Sequence, residues 1–160
     1  MERTRKLFKK TKSLGNVWRK VHTTAQKKAV AWSFLVAATA TFGSLYFSEK
    51  LGFAPCKFCW LQRIFMYPLA VIFLTALIKK TKDVEVYTLP LAVIGALLAS
   101  YHYYIQVNPN ALAPCTSVGF SVSCSERFFT NFGYITIPFM ALTAFVTIIL
   151  LMFIKSGKLK

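Results

Sequence analysis

The four cysteines of this 160-residue chain fall into two close pairs. Cys56 and Cys59 form a Cys-x-x-Cys motif, and Cys115 and Cys124 are separated by eight residues. Thiols at such spacing can pass a disulfide from one pair to another, because a thiolate attacks a disulfide sulfur directly. The two pairs therefore predict a path for electrons, provided that the surrounding elements bring them together on one side of the molecule.

Long apolar stretches flank both cysteine pairs. The chain is 56% hydrophobic with a mean hydropathy of +0.51, and a membrane crossing needs about 20 apolar residues. Four stretches meet this requirement, and their only charged side chain is Arg63; they are Ala29–Ser48, Trp60–Ile78, Val86–Val107 and Gly133–Ile154. Because lipid offers no partner to backbone polar groups, each stretch should be a helix. The sequence predicts an all-α fold, an integral membrane four-helix bundle with short extracytoplasmic loops.

The basic residues predict the orientation of these helices. Of the twenty Lys and Arg residues, sixteen lie before the first span, between the second and third, or after the fourth. The positive-inside rule then places both termini in the cytoplasm and both cysteine pairs outside it. We therefore divide the chain into a basic cytoplasmic arm with the spacing of an interfacial helix (1–28), a membrane domain (29–154) and a basic tail (155–160). The net charge of +15 is confined to segments beside the spans, which indicates a lipid membrane as the partner and no nucleic acid.

Two other interpretations of the cysteines are open at this point. Both pairs could be structural disulfides of a non-catalytic scaffold, although a Cys-x-x-Cys disulfide closes a very small loop and so restricts the unfolded chain little. Four thiolates could also bind zinc. The eight-residue separation of Cys115 and Cys124 is not a second zinc knuckle, so we assign no metal ligands.

Three polar residues lie near the same predicted membrane edge. Arg63 follows Cys59 by four residues, so the two share a helix face and the guanidinium should lie near the Cys59 sulfur. A cation there favours the reactive thiolate, whereas the alternative is an arginine that only reaches lipid head groups. His102 and Gln106 are also four apart, and both offer hydrogen bonds to a polar ring whose tail lies in lipid. A membrane quinone fits that description, while a packing histidine in an aromatic belt is the simpler interpretation.

Several segments resemble the DsbB/BdbC family of disulfide-bond formation proteins. Pro55–Arg63, with Met66–Pro68 after it, is similar to the family signature, and Tyr101–Gln106 is similar to the third-span motif. The segments 114–115 and 122–124 resemble the second cysteine pair. The resemblance covers about residues 30–154 in the same order. It implies a protein of the bacterial cytoplasmic membrane.

The resemblance also implies an activity, that of a thiol:quinone oxidoreductase. Such a protein re-oxidises an extracytoplasmic thioredoxin-fold oxidase of the DsbA/BdbD kind. By the resemblance, Cys115 forms the mixed disulfide with this partner, and Cys124 then exchanges with Cys56. Cys59 passes the electrons to the quinone, and Arg63 stabilises the charge.

Further details follow from the same resemblance. His102 and Gln106 match positions near the family's quinone site. The short spacing of Cys115 and Cys124 resembles the compact Gram-positive form, which points to menaquinone, although the residues leave menaquinone and ubiquinone both open. A VKOR-like oxidoreductase would use similar chemistry, but such proteins place their Cys-x-x-Cys late in the chain, and here it is early.

Overall fold

Four long helices make up the described part of the chain. The computed structural model describes residues 28–81, 83–108, 124 and 136–156. In chain order the helices are α1 (Lys28–Glu49), α2 (Lys57–Lys79), α3 (Glu85–Val107) and α4 (Ile137–Ser156). Each is long and apolar enough to cross a membrane, and no strand occurs within these ranges. The all-α, four-span prediction is confirmed. The basic arm before Lys28 and most of the loop that carries the second cysteine pair lie outside the described residues.

Two helix ends differ from the predicted spans by more than two residues. α2 begins at Lys57 instead of Trp60 because the Cys56 sulfur caps it, accepting a hydrogen bond from the backbone N–H of Cys59 at 3.4 Å. A side-chain acceptor at this position satisfies an N–H that has no partner within the helix. α4 begins at Ile137 instead of Gly133, since Thr136 is not helical. Pro138 follows in the first turn of α4, where a missing N–H costs nothing.

The helices pack through one buried stripe each. α3 packs extensively against both α2 and α4, whereas α2 and α4 touch each other little. On α2 the buried side chains recur every three or four residues; they are Phe58, Gln62, Met66, Leu69, Phe73 and Ala76. The opposite faces expose large apolar side chains such as Trp32, Ile78 and Leu97. In lipid such faces need no protein partner, so the exposed surface agrees with the membrane assignment.

The contact between α3 and α4 depends on one glycine. A Cβ atom at Gly95 would lie 2.3 Å from Cε1 of the Phe145 ring. Phe145 is fully buried, so a side chain at position 95 would have to displace its ring from the α3–α4 contact. Small residues at membrane helix interfaces let the partner approach closely, and Gly95 does this for α4.

An ion pair joins α3 and α4 at the end of the bundle away from the Cys-x-x-Cys. Lys155 in the last turn of α4 contacts the carboxylate of Glu85 in the first turn of α3. Both side chains are largely shielded, with 8% and 19% of their surfaces exposed. Lys155, assigned above to the basic tail, thus belongs to the helix and fixes the antiparallel pairing of α3 and α4.

Candidate active site

The Cys-x-x-Cys motif lies at the start of α2, and both of its thiols are free. The two sulfur atoms are 3.3 Å apart, a distance at which one thiol donates a hydrogen bond to the other. Cys56 is buried and Cys59 is half-buried. A disulfide needs its sulfurs at about 2.05 Å, so the two sulfurs are in contact without a covalent bond.

His102 on α3 lies directly against this pair. Its Nε2 atom is 3.5 Å from the Cys56 sulfur, and its Nδ1 atom is 3.0 Å from the side-chain nitrogen of Gln62. The Phe58 ring stacks on the imidazole, with centroids 5.6 Å apart and planes 30° apart. His102 is 1% exposed. Its ring is therefore held on three sides, with one nitrogen directed at a sulfur.

Arg63 joins α2 to α1. Its Nε donates to the Ser44 hydroxyl at 2.9 Å, and Nη2 donates to the Ser44 carbonyl at 3.2 Å and to the Ser48 hydroxyl. The guanidinium also lies 5.2 Å from the centroid of the Trp60 ring. It interacts electrostatically with Cys59. Arg63 is thus oriented by protein groups rather than by lipid head groups alone.

A cavity of about 610 Å³ opens beside these side chains. Its walls come mainly from α1, α2 and α4 and are largely apolar. Five of the seven predicted site residues line it: Cys56, Cys59, Arg63, His102 and Gln106. The structure therefore brings together residues that the sequence separates by up to 50 positions.

Cys124 lies close to the first cysteine pair. It is fully buried and disulfide-bonded. It belongs to the same apolar cluster as Cys56, Phe58 and Ile105, with Cys59 packed against that cluster. Cys115 lies outside the described residues. One member of the second pair is thus packed in the cluster that holds the Cys-x-x-Cys.

Comparison with known proteins identifies the family of this site. The family model for disulfide bond formation protein DsbB matches residues 26–155. The chain belongs to the DsbB family. Disulfide bond formation protein C of Bacillus subtilis is 45% identical over 128 residues, which cover 79% of this chain and 91% of the relative. A probable disulfide formation protein C of Halalkalibacterium halodurans is 44% identical, over 72% of this chain and 84% of the relative.

A third relative, a probable disulfide formation protein of Metapseudomonas resinovorans, is 40% identical over 81% of this chain and 93% of its own. No solved structure matches the chain. Membership of the DsbB family, together with four apolar helices, makes this a multi-pass bacterial membrane protein of disulfide bond formation, with a disulfide oxidoreductase role.

The contacts of this DsbB-family site favour the thiolate of Cys56, which lies just before the α2 span. The hydrogen bond from the Cys59 side chain lowers the pKa of Cys56 most. Burial opposes this effect, and the hydrogen bond and charge of His102, with the backbone N–H of Cys59, reinforce it. Together they lower the pKa of Cys56 from 9.0 to about 4. Cys56 is therefore a thiolate at neutral pH when the pair is reduced.

This lowered pKa predicts an unusual pH profile for alkylation of Cys56. In the reduced protein, the rate of its modification by iodoacetamide should be constant between about pH 5 and pH 8, because the thiolate is already fully formed there. An ordinary thiol would react about tenfold faster per pH unit over this range. In His102→Ala the pH at which alkylation reaches its full rate should be higher, because His102 lowers the pKa of Cys56. In His22→Ala, the matched control, this pH should not change. The alkylation rate is measured by mass analysis of the peptide that contains Cys56. A tenfold rise in this rate per pH unit in the protein without substitutions would contradict the prediction.

Several side chains of this site were not predicted from the sequence. Gln62, Ser44 and Ser48 hold the imidazole and the guanidinium. Tyr67 and Thr136 are among the residues that line the cavity; their hydroxyls are buried and have no hydrogen bond partner within the described ranges. Gln62 could have been found from its position in the sequence. It lies four residues from both Phe58 and Met66, so it is a polar residue on the buried face of α2.

Proposed function

We propose that this protein transfers electrons from an extracytoplasmic, DsbA/BdbD-like thioredoxin-fold protein to a membrane quinone. The observation that carries the proposal is the apolar cavity of about 610 Å³ lined by both thiols of the Cys-x-x-Cys, with Arg63 and His102 in the same wall. In the net reaction the partner's dithiol becomes a disulfide and the quinone becomes a quinol. Two electrons and two protons move, so the equation balances.

The second cysteine pair receives the electrons first. A thiolate of the partner attacks Cys115 of a Cys115–Cys124 disulfide, forming a mixed disulfide and releasing Cys124. The partner's second thiol then attacks the mixed disulfide, so the partner leaves oxidised and Cys115 is a thiol. Disulfide-bonded Cys124 and the outward position of the loop inferred from the charge pattern support this role.

Disulfide exchange then joins the two pairs. The released thiolate of Cys124 attacks Cys56 of an oxidised Cys56–Cys59 pair; a Cys124–Cys56 disulfide forms, the bond between Cys56 and Cys59 breaks, and Cys59 leaves as a thiolate. The thiolate of Cys115 then attacks Cys124, which restores the Cys115–Cys124 disulfide and releases Cys56, so that Cys56 and Cys59 are both reduced. Packing of Cys124 and Cys56 in one buried cluster supports this step. Since exchange needs direct sulfur contact, a distant second pair would have argued against it.

The cavity provides a fitting site for the quinone. When bound, the quinone accepts two electrons and two protons. Cys59 faces the cavity as the electron donor, and Arg63, oriented by Ser44 and Ser48, supplies positive charge at the wall. The buried hydroxyls of Tyr67 and Thr136 are available to hydrogen-bond a ring oxygen. Apolar walls with a few polar groups are the usual composition of such sites.

A membrane acceptor is also favoured on energetic grounds. If the partner is as oxidising as DsbA, near −120 mV, a glutathione pool near −200 mV could not re-oxidise it, because a gap of roughly 80 mV is about 3.7 kcal/mol for two electrons. A quinone, either menaquinone or ubiquinone, removes that obstacle. We place the protein in the bacterial cytoplasmic membrane with both termini inside, so that the cysteines meet the partner outside.

Thiol trapping in intact membranes tests this function. Cysteines are labelled with a mass tag before and after quinone depletion, with the partner supplied in its reduced form. Cysteines oxidised in the presence of quinone should become reduced when it is removed, and adding quinone back should re-oxidise them. In a Cys115→Ser/Cys124→Ser variant, the same reduced partner should no longer reduce Cys56 and Cys59. Disulfides that stay closed with and without quinone would identify a structural scaffold instead.

A further inference from the structure

Cys56, Cys59 and His102 form a three-donor cluster that the oxidoreductase reaction does not require as such. One potential ligand atom from each residue lies within 4.8 Å of the other two. The donors are two thiol sulfurs and one imidazole nitrogen, which together make a Cys₂His set. The four-cysteine zinc site that the sequence disfavoured is a different ligand set, since it lacks the histidine.

The distances within this cluster are close to those that zinc requires. With Zn–S near 2.3 Å and Zn–N near 2.05 Å, a tetrahedral ion separates a sulfur from a nitrogen by roughly 3.5 Å and two sulfurs by roughly 3.8 Å. The sulfur of Cys56 lies 3.5 Å from Nε2 of His102, and 3.3 Å from the sulfur of Cys59. Both distances at Cys56 are therefore within roughly half an ångström of those of a tetrahedral zinc site, and the third, between the Cys59 sulfur and the imidazole, is no more than 4.8 Å.

Charge balance also favours a divalent ion here. Two thiolates and a neutral imidazole give Zn²⁺ a complex with no net charge. A site at the edge of a membrane tolerates a neutral complex far better than a charged one. Four thiolates would leave two negative charges in the same surroundings. The ligand set thus matches the charge of the ion as well as its geometry.

The surroundings of His102 complete the site. The side-chain amide of Gln62 contacts Nδ1, and Nε2 lies beside the Cys56 sulfur. With the amide turned so that its oxygen accepts from Nδ1–H, Nε2 has a free lone pair for the ion, and Gln62 acts as outer-shell partners do for metal-ligating histidines. All three ligand residues line the cavity. The fourth position of the ion therefore opens onto that cavity and can take a water molecule.

We propose that the reduced form of this protein binds one thiophilic divalent cation, Zn²⁺, through Cys56, Cys59 and His102. Binding displaces any proton still held by the two sulfurs and transfers no electron. Both sulfurs then bond to the metal, so they cannot form a disulfide with each other. The cation is consequently a reversible inhibitor of electron transfer; this consequence rests on the proposed function, whereas the binding itself does not.

Binding is measured directly on the purified, reduced, full-length protein in detergent. The background is Cys115→Ala/Cys124→Ala, which leaves only the Cys-x-x-Cys thiols. Equilibrium titration with Zn²⁺ against a chromophoric competitor should give one site per chain. Oxidation of Cys56 and Cys59 should abolish it, and Co²⁺ should give the thiolate charge-transfer and d–d absorption of a tetrahedral sulfur–nitrogen site.

Variants identify the ligands. Cys59→Ser and His102→Ala should each weaken Zn²⁺ binding at least tenfold, and His22→Ala, which removes the chain's other histidine, should leave it unchanged. Zn²⁺ binding that survives oxidation of Cys56 and Cys59, or a Co²⁺ spectrum without thiolate bands, overturns the proposal. Neither measurement uses the ligand variants, so both remain decisive if one of those variants fails to fold. Absence of quinone reduction by the metal-free protein with all four cysteines, together with intact Zn²⁺ binding, would instead refute the proposed function alone.

Discussion

Replacing Cys59 with serine should abolish quinone reduction while the protein remains inserted and folded. The thiolate of Cys59 is the proposed electron donor, and a serine hydroxyl neither forms a disulfide nor gives up electrons. Loss of a residue that forms the covalent intermediate lowers turnover by several orders of magnitude, so we expect a fall of at least about 10³-fold. Serine is close to cysteine in size, and Cys59 is only half-buried. We therefore expect a change in stability of about 1 kcal/mol or less.

Turnover is followed as oxidation of the reduced partner by a soluble quinone, with membrane abundance measured in parallel. Thr75→Ser is the matched control, because Thr75 lies on the same helix, is exposed and only bonds the carbonyl of Ile72. This control should retain full turnover and abundance. A Cys59→Ser protein that disappears from the membrane, while the surviving molecules remain active, would show a structural role for the thiol and would refute the electron-relay assignment.

The fold was predictable because it depends on local properties of the chain. Length, apolarity and the scarcity of charged residues defined four spans, and the four helices confirm them. The family was predictable too, since the segment around Cys56 and Cys59 is distinctive; the family match over residues 26–155 confirms it. The exact start of α2 was not predictable from apolarity, because it depends on a cysteine acting as an N-cap.

The site was only partly predictable because its contacts cross between helices. Spacing along α2 predicts that Cys59 and Arg63 share a helix face, and both residues line one cavity. It cannot reveal that Ser44 and Ser48 on α1 hold the guanidinium. Likewise, nothing local to His102 indicates that its imidazole lies against Cys56. These facts depend on the rotation of each helix about its axis, which is decided by packing between helices.

Replacing Arg63 with alanine should impair the reaction with quinone much more than the reaction with the protein partner. The guanidinium lies in the cavity wall and interacts with Cys59. A hydrogen bond to a charged group contributes about 1.5–3 kcal/mol, so kcat/KM for quinone should fall roughly 10- to 150-fold. Single-turnover exchange between the partner and the second cysteine pair should stay within about twofold. Unchanged quinone kinetics would remove Arg63 from the site.

Two further variants separate the charge of Arg63 from its role in joining helices. Arg63→Lys retains the positive charge but lacks the planar fork that reaches Ser44 and Ser48. Ser44→Ala/Ser48→Ala retains the guanidinium and removes both hydroxyl acceptors. If the charge beside Cys59 is what matters, both variants should lose less activity than Arg63→Ala. If Arg63 acts only by joining α1 to α2, the double serine variant should lose as much activity as Arg63→Ala. The reaction with quinone would then depend on the hydrogen bonds between the helices and not on the positive charge in the cavity wall.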